Sequence, residues 1–239
     1  MRQDQTTTPP FAWTILCDFD GTIALEDVTD RLLECFGRPG WETLERDWRD
    51  GRIGSRECMD AQVALLDMSA GQLRAQLEQC RIDPAFPAFV RIARDLGIPV
   101  QIASDGVDLA IHGILARHGL GDLPVAANRL LQVGARRWQL DSPFQADFCR
   151  SGTCKCAFAR RVGKDRPLVL LVGDGASDYC VAERADFVFA KRTLDTHCQR
   201  RGIPYRTIGG FDDALALLPR LLAGELDDAP AFLEPAVQY

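Results

Sequence analysis

Apolar residues recur along this chain in two alternating rhythms. Residues 11–17, 98–103 and 168–172 are short, almost unbroken apolar runs, as expected of strands buried on both faces. Shorter strands are expected at 187–189 and 205–208, and a hairpin around Gly134 from 125–130 and 137–140. Between these runs the apolar spacing lengthens to the period of a helix. Helices are predicted over 107–118, 154–162, 178–184, 193–201 and 211–222. Another begins at Asp83-Pro84, the acid as cap and the proline at the first position, and ends near Gly97. Strands alternating with helices predict an α/β fold on a Rossmann-like parallel sheet with right-handed crossovers.

Residues 24 to 80 break the alternation. Val28, Leu32, Leu33 and Phe36 recur at helical spacing, and Gly37, Pro39 and Gly40 end that segment. Further helices are predicted over 41–50, 55–66 and 69–79, where Ser69 and Gln72 have capping-box spacing. No good strand occurs here. The expected organisation is a core of residues 11–24 plus 81–225, with a helical unit, 25–80, inserted after the first strand. Residues 1–10 and the last dozen are expected to be loosely attached.

Each of the three long apolar runs ends in polar residues: Asp18-Phe19-Asp20-Gly21-Thr22, Ser104-Asp105-Gly106 and Gly173-Asp174-Gly175-Ala176-Ser177-Asp178. Alternation along an extended chain points Asp18 and Asp20 the same way. An isolated Asp-x-Asp-Gly is most simply a turn. In an open parallel sheet, however, ligands bind beyond the carboxyl ends of the strands, so all three motifs face one crevice. Four carboxylates there repel one another, and a hard divalent cation relieves them; Mg²⁺ suits carboxylates, waters and phosphate. Lys155 offers a second positive charge and Ser104 a hydroxyl. The amides of Asp105 and Gly106 are expected to open a helix N-terminus, a seat for phosphate. These parts describe phosphoryl transfer, with one carboxylate as nucleophile and another as acid and base.

Composition narrows the classes further. The chain is 46% hydrophobic and 26% charged with net charge −6, the profile of a soluble globular protein and a poor match to nucleic acid. There is no bilayer-length apolar stretch and no signal-peptide core, so no membrane partner and a cytoplasmic location are expected. Nine scattered cysteines do not form a disulfide framework. Cys149, Cys154 and Cys156 lie close together, but without a Cys-x-x-Cys pair or a nearby histidine the pattern disfavours zinc. Arg46, Arg49, Arg52 and Arg56 read as a solvated helical face. Arg52 and Arg56 are nonetheless candidates to contact the anionic end of a substrate.

In order, Asp18-x-Asp20-Gly21-Thr22, Ser104, Lys155 and Gly173-Asp174-Gly175-x-x-Asp178 resemble the four motifs of the haloacid dehalogenase (HAD) superfamily, across residues 13–215. The resemblance implies an Mg²⁺-dependent phosphomonoesterase, acting on a small phosphorylated metabolite through an aspartyl phosphate. Asp18 would be the nucleophile and a metal ligand. Asp20 would be the acid/base and bind the metal through its carbonyl, with Thr22 positioning it. Ser104 and Lys155 would hold the phosphoryl group. Asp174 would be the third ligand, and Asp178 would support the metal's waters or Lys155. The inserted helices match the superfamily's type-one cap. The chain is most similar to the phosphoserine phosphatase-like branch, which the Ala127-Asn128-Arg129-Leu130 stretch also resembles. Gly21 stands where those enzymes usually have Ser, Asp27 where they have a substrate-reading Glu, Asp105 where they have Gly, and Ser177 where they have Asn. Gly21, Asp27 and the cysteines before Lys155 look more like the enol-phosphate phosphatase of methionine salvage. Plainer roles exist: Asp27, Asp105 and Asp178 are each placed to cap a helix. The competing functions are phosphoserine hydrolysis, phosphotransfer to an acceptor other than water, and a non-catalytic phosphate-binding regulatory module. Dehalogenation needs neither Asp20 nor a metal.

Overall fold

Period-two alternation is hidden in the long apolar runs because both faces of the sheet are covered. A computed structural model of the chain describes residues 12–159 and 167–226. In it, Ile15, Cys17, Leu170, Val172, Phe187 and Phe189 face one apolar cluster. Their neighbours Leu16, Val169, Leu171, Val188 and Ala190 face a second cluster on the other side. The strands are β1 (Trp13–Cys17), β2 (Val100–Val107), β3 (Val125–Gln132), β4 (Trp138–Asp141), β5 (Leu168–Gly173), β6 (Phe187–Ala190) and β7 (Tyr205–Thr207). They form one seven-stranded sheet in the order β4-β3-β2-β1-β5-β6-β7. Only the β3–β4 hairpin is antiparallel; the remaining pairs are parallel. This is the expected α/β core, with the hairpin where the Gly134 flanks predict it.

Ten α-helices are found among the described residues: α1 (Val28–Phe36), α2 (Trp41–Arg49), α3 (Ser55–Ala64), α4 (Ala70–Leu77), α5 (Phe86–Asp95), α6 (Asp108–Arg117), α7 (Lys155–Phe158), α8 (Tyr179–Ala182), α9 (Arg192–Arg201) and α10 (Phe211–Leu222). Ser69 and Gln72 form the predicted capping box at α4. One helix start here differs from expectation. Asp83 caps a turn before α5, accepting from the Ala85 amide at 2.9 Å, and the helix begins at Phe86 with Pro87 in its first turn. Its second oxygen takes the Phe211 amide at 3.0 Å and so ties α5 to α10. The expected helix over 154–162 is described only as far as Phe158. Its remainder, like Phe11 and the predicted termini, falls partly or wholly outside the described residues.

The inserted helices α1 to α4 leave and rejoin the sheet through a neck. Ala24 and Ile82 form an antiparallel bridge there, and the Asp83 amide donates to the Ile23 carbonyl at 2.8 Å. The insert is not packed separately. Leu32, Val63, Met68 and Leu73 belong to the same apolar cluster as Ile111, Leu115 and Trp138. The Trp138 indole also donates to the Met68 carbonyl at 2.8 Å. That bond and the shared cluster hold the insert over the carboxyl edge of the sheet.

Candidate active site

Strand register brings the polar motifs together. Cys17 is paired with Ile102 on one side and Val172 on the other. Asp18 therefore lies one residue past the level of this row, while Ser104 and Asp174 lie two residues past it. The Asp18 amide donates to the Val172 carbonyl at 2.9 Å. β2 differs from expectation at this edge. It runs on to Val107, and α6 starts only at Asp108, so the Asp105 and Gly106 amides precede the helix rather than open it. Between Ala103 and Val107 the β2–β3 register shifts, four residues of β2 spanning two of β3. Such a bulge re-aims side chains. Here it turns Ser104 towards Asp20, with its hydroxyl 3.4 Å from Asp20 Oδ2.

Asp18 is buried. Its Oδ1 accepts from the Phe19 amide at 2.8 Å and pairs with Lys155 Nζ at 2.8 Å. Among the described residues its Oδ2 has no hydrogen-bond partner, which leaves that oxygen open for chemistry. Lys155 is also buried and lies 2.7 Å from Asp178 Oδ1 and 3.0 Å from Ser177 Oγ. Burial works against its charge, but Asp178 and Asp18 outweigh that cost and hold its pKa above the ordinary lysine value. For Asp18 the balance is reversed. Burial and then Asp178 push its carboxyl well up, with Lys155 opposing.

Asp20 Oδ1 accepts from the Val28 amide at 2.9 Å, so the start of α1 holds it. Burial, then the charge of Asp27, raises its pKa well above the carboxylate range, with the Val28 amide opposing. A raised carboxyl pKa favours the protonated form, which can act as an acid. Thr22 does not touch Asp20; its hydroxyl lies 3.4 Å from Asp174 Oδ1. Asp178 Oδ2 takes the Asp174 amide at 3.1 Å, so Asp178 links Lys155 to the β5 loop rather than capping α8 with its side chain.

Asp18, Asp174 and Asp178 each offer a carboxylate oxygen within 4.8 Å of the others. Clustered acids with oxygen-only donors fit a hard divalent cation. Burial, then Asp178, raises Asp174 as well. This is the only such metal-sized group among the described residues, so Cys149, Cys154 and Cys156 form none. All three are free thiols.

A cavity of about 180 Å³ opens above these groups. Its floor includes Asp18, Asp20, Ser104, Gly106 and Asp174, and its upper wall comes from α1, α2 and α3. Gly106 approaches closely enough that a Cβ would collide with the Asp20 carboxylate. Gly21 has φ +70°, and a side chain there would strike Asp174 and Arg192. This accounts for glycine at that position. Asp27 both caps α1, accepting from the Asp30 amide at 2.9 Å, and lines the cavity. Asp105 also lines it, but its carboxylate is engaged by Ser55 Oγ at 2.6 Å and the Thr153 amide at 2.7 Å. It thereby joins the insert to the loop before Lys155 and does not cap α6. Arg52 and Arg56 do not line the cavity. Arg52 pairs with Asp47 and Asp50, and Arg56 bonds Gln145 at 2.6 Å.

Sequence reasoning passes over Arg192. Its backbone lies in the left-handed region at φ 47°, its NH1 is 3.2 Å from Asp174 Oδ2, and it lines the cavity. The only signal for it was its place just past the short β6 strand, on the same sheet edge as the motifs. Asp30, Glu45 and Trp48 of the upper wall were likewise unmarked, because their relevance depends on how the insert is rotated.

Known proteins agree with this arrangement. Residues 15–183 match the model of the family described as haloacid dehalogenase-like hydrolase. The chain is 29% identical over 212 residues to the 2-hydroxy-3-keto-5-methylthiopentenyl-1-phosphate phosphatase of Brevibacillus brevis, covering 87% of this chain and 95% of that one. It is also 29% identical to the polyol phosphate phosphatase of Saccharomyces cerevisiae over 230 residues, with coverage of 88% and 94%. Among solved structures, a phospho-aspartyl intermediate analogue of phosphoserine phosphatase superposes with a TM-score of 0.64 at 17% identity, covering 86% of this chain and 98% of that one. That likeness shows the fold. The match across residues 15–183, over motifs that meet in one crevice, establishes that the chain belongs to the haloacid dehalogenase-like hydrolase family.

Proposed function

We propose that this protein is a phosphomonoesterase acting on a small phosphorylated metabolite, with Asp18 as nucleophile. The observation that carries the reading is the state of Asp18: buried, with Oδ1 fixed by Lys155 and the Phe19 amide, with no hydrogen-bond partner to Oδ2 among the described residues, and lining the same cavity as Asp20 and Ser104. Asp18 Oδ2 attacks phosphorus, forming an aspartyl phosphate as the ester P–O bond breaks. Asp20 gives its proton to the departing alcohol oxygen. In the second half, Asp20 takes a proton from water as that water attacks phosphorus and frees Asp18. Ser104 and Lys155 hold the phosphoryl oxygens. Asp18 and Asp174, with the Asp20 carbonyl, would hold Mg²⁺; Asp178 supports them by orienting Lys155 and the β5 loop. When bound, the cation neutralises the clustered acids and the phosphoryl charge. Thr22 acts on Asp174, its hydrogen-bond partner. Residues 25–80 serve as the cap, on a core of 11–24 plus 81–225, a division supported by the Ala24–Ile82 bridge at the neck.

The test is hydrolysis of p-nitrophenyl phosphate by the full chain with Mg²⁺ and with EDTA. Turnover is expected with Mg²⁺ and not with EDTA. Asp18→Asn is expected to lose about three orders of magnitude or more in kcat. Undiminished turnover in that variant would remove Asp18 as the nucleophile.

A further inference from the structure

Asp105 follows Ser104 directly and lies in the β2 bulge, which frees its side chain from the strand's alternation. Its three acceptor oxygens each hold a different segment. Oδ2 takes the hydroxyl of Ser55, the first residue of α3 in the insert, at 2.6 Å. Oδ1 takes the amide of Thr153, two residues before Lys155, at 2.7 Å. The carbonyl takes the Asn128 side-chain amide at 2.6 Å.

These bonds belong to a wider seam between the insert and the loop of residues 142–154. The Arg56 amide donates to the Arg150 carbonyl at 3.0 Å, and the Arg150 guanidinium donates back to the Gly51 and Arg52 carbonyls at 3.3 and 3.4 Å. Gly54 lies so close that a Cβ would meet the Arg150 carbonyl oxygen at 2.8 Å. On the core side the Ser142 hydroxyl donates to Asn128 Oδ1 at 2.7 Å, and a Cβ at Gly152 would strike that same oxygen. The loop is thus fitted to Asn128 and Asp105 on one side and to the insert on the other, and it leads straight into Lys155.

From this arrangement we infer that Asp105 is a positioning residue: through Ser55 and Thr153 it couples the seating of the insert to the placing of Lys155 against Asp18. The inference rests on the phosphatase reading for what Lys155 does there. A free carboxylate next to Ser104 would repel a phosphoryl group. Spent on two donors, the Asp105 carboxylate holds the loop and leaves the ester to Ser104 and Lys155.

The experiment measures kcat and KM of the full chain with Mg²⁺ for p-nitrophenyl phosphate, ethyl phosphate and phosphoglycolate, which differ in the alcohol. Asp105→Ala removes both side-chain bonds and is expected to lower kcat about thirtyfold to a hundredfold, by the same factor for all three esters, with KM changed less than about threefold. Ser55→Ala removes only the bond to the insert and is expected to cost about fivefold in kcat. Asp105→Asn can keep both bonds, its carbonyl taking the Thr153 amide and its NH₂ donating to Ser55 Oγ. It is expected to recover kcat to within about threefold of the parent. An Asn variant as poor as the Ala variant, or losses that differ between the esters, would place the Asp105 charge on the substrate and overturn the inference. Hydrogen exchange reads the coupling without turnover. In Ser55→Ala the amides of residues 153–155 should exchange about fivefold or more faster than in the parent, with those of β5 unmoved. Unmoved exchange at residues 153–155 overturns the coupling. If the parent hydrolyses none of the three esters, the phosphatase reading fails, and the exchange result still decides the coupling.

Discussion

The floor of the cavity and its upper wall are both acidic, but they handle charge differently. On the floor each acid is matched inside the protein. Lys155 is clamped between Asp18 and Asp178, and the Asp174 amide holds Asp178 in turn. On the wall, Glu45 is paired with Arg49, while no ion pair to Asp27 or Asp30 is found among the described residues. A floor with its own cation is built to keep one geometry for chemistry. Changes to the floor should therefore cost stability and rate together, whereas changes to the wall should alter preference and leave the fold nearly untouched.

The largest effect is expected at Lys155. Lys155→Met keeps the bulk of the side chain and removes its charge, leaving Asp18 and Asp178 facing one another in a buried site. Breaking a buried pair in this way costs about 3–5 kcal/mol, readable as a lowered midpoint in urea. The deficit should shrink as pH falls, because protonation of Asp18, already favoured by burial, removes the repulsion. Turnover should fall in the same variant. A variant as stable as the parent at neutral pH would show that the floor does not depend on this clamp.

The same contrast explains what could be read from the sequence. Asp18, Ser104 and Asp174 are one or two positions beyond the end of an apolar run, and Asp20 three; parallel register converts those positions into neighbours. That is why Asp18, Asp20, Ser104 and Asp174 were legible. The β2 bulge was not, because nothing in Ser104-Asp105-Gly106 distinguishes a prolonged strand from a helix start. Asp105 was therefore placed among the phosphate contacts, whereas its carboxylate binds Ser55 and Thr153. On the wall the helices were legible, but not their rotation about their axes. Arg52 and Asp30 are equally polar in sequence; packing turns one to solvent and the other to the cavity.

The wall's charge should appear as a pH dependence of stability. Asp30 is pushed up to about 7, first by burial and then by the charges of Asp27 and Glu45, with Arg49 opposing and Glu34 adding to the rise. Its pKa lies above the ordinary 3.8, so the folded protein holds this proton where the unfolded chain has released it. The stability contribution is full below about 3.8 and is lost as pH rises through about 7. The stability of the parent relative to Asp30→Asn should therefore fall as pH rises from about 6 to about 8, read as the difference between their urea midpoints. Parallel profiles for the two proteins would mean that the fold does not hold this proton.

The smallest effect is expected where sequence reasoning looked for substrate contacts. Arg52 is 54% exposed and already shared by Asp47 and Asp50, while Arg56 is spent on Gln145 across to the loop before Lys155. Exposed pairs of this kind contribute roughly 0–1 kcal/mol. Arg52→Ala should change kcat/KM for any of the esters by less than about twofold, since screening leaves little of its charge at the cavity. Arg56→Ala should do the same unless the Gln145 bond steadies Lys155, in which case kcat would fall for all esters alike and their ratio would not move. A selective loss for phosphoglycolate, whose alcohol carries a carboxylate, in either variant would instead place that arginine at the substrate.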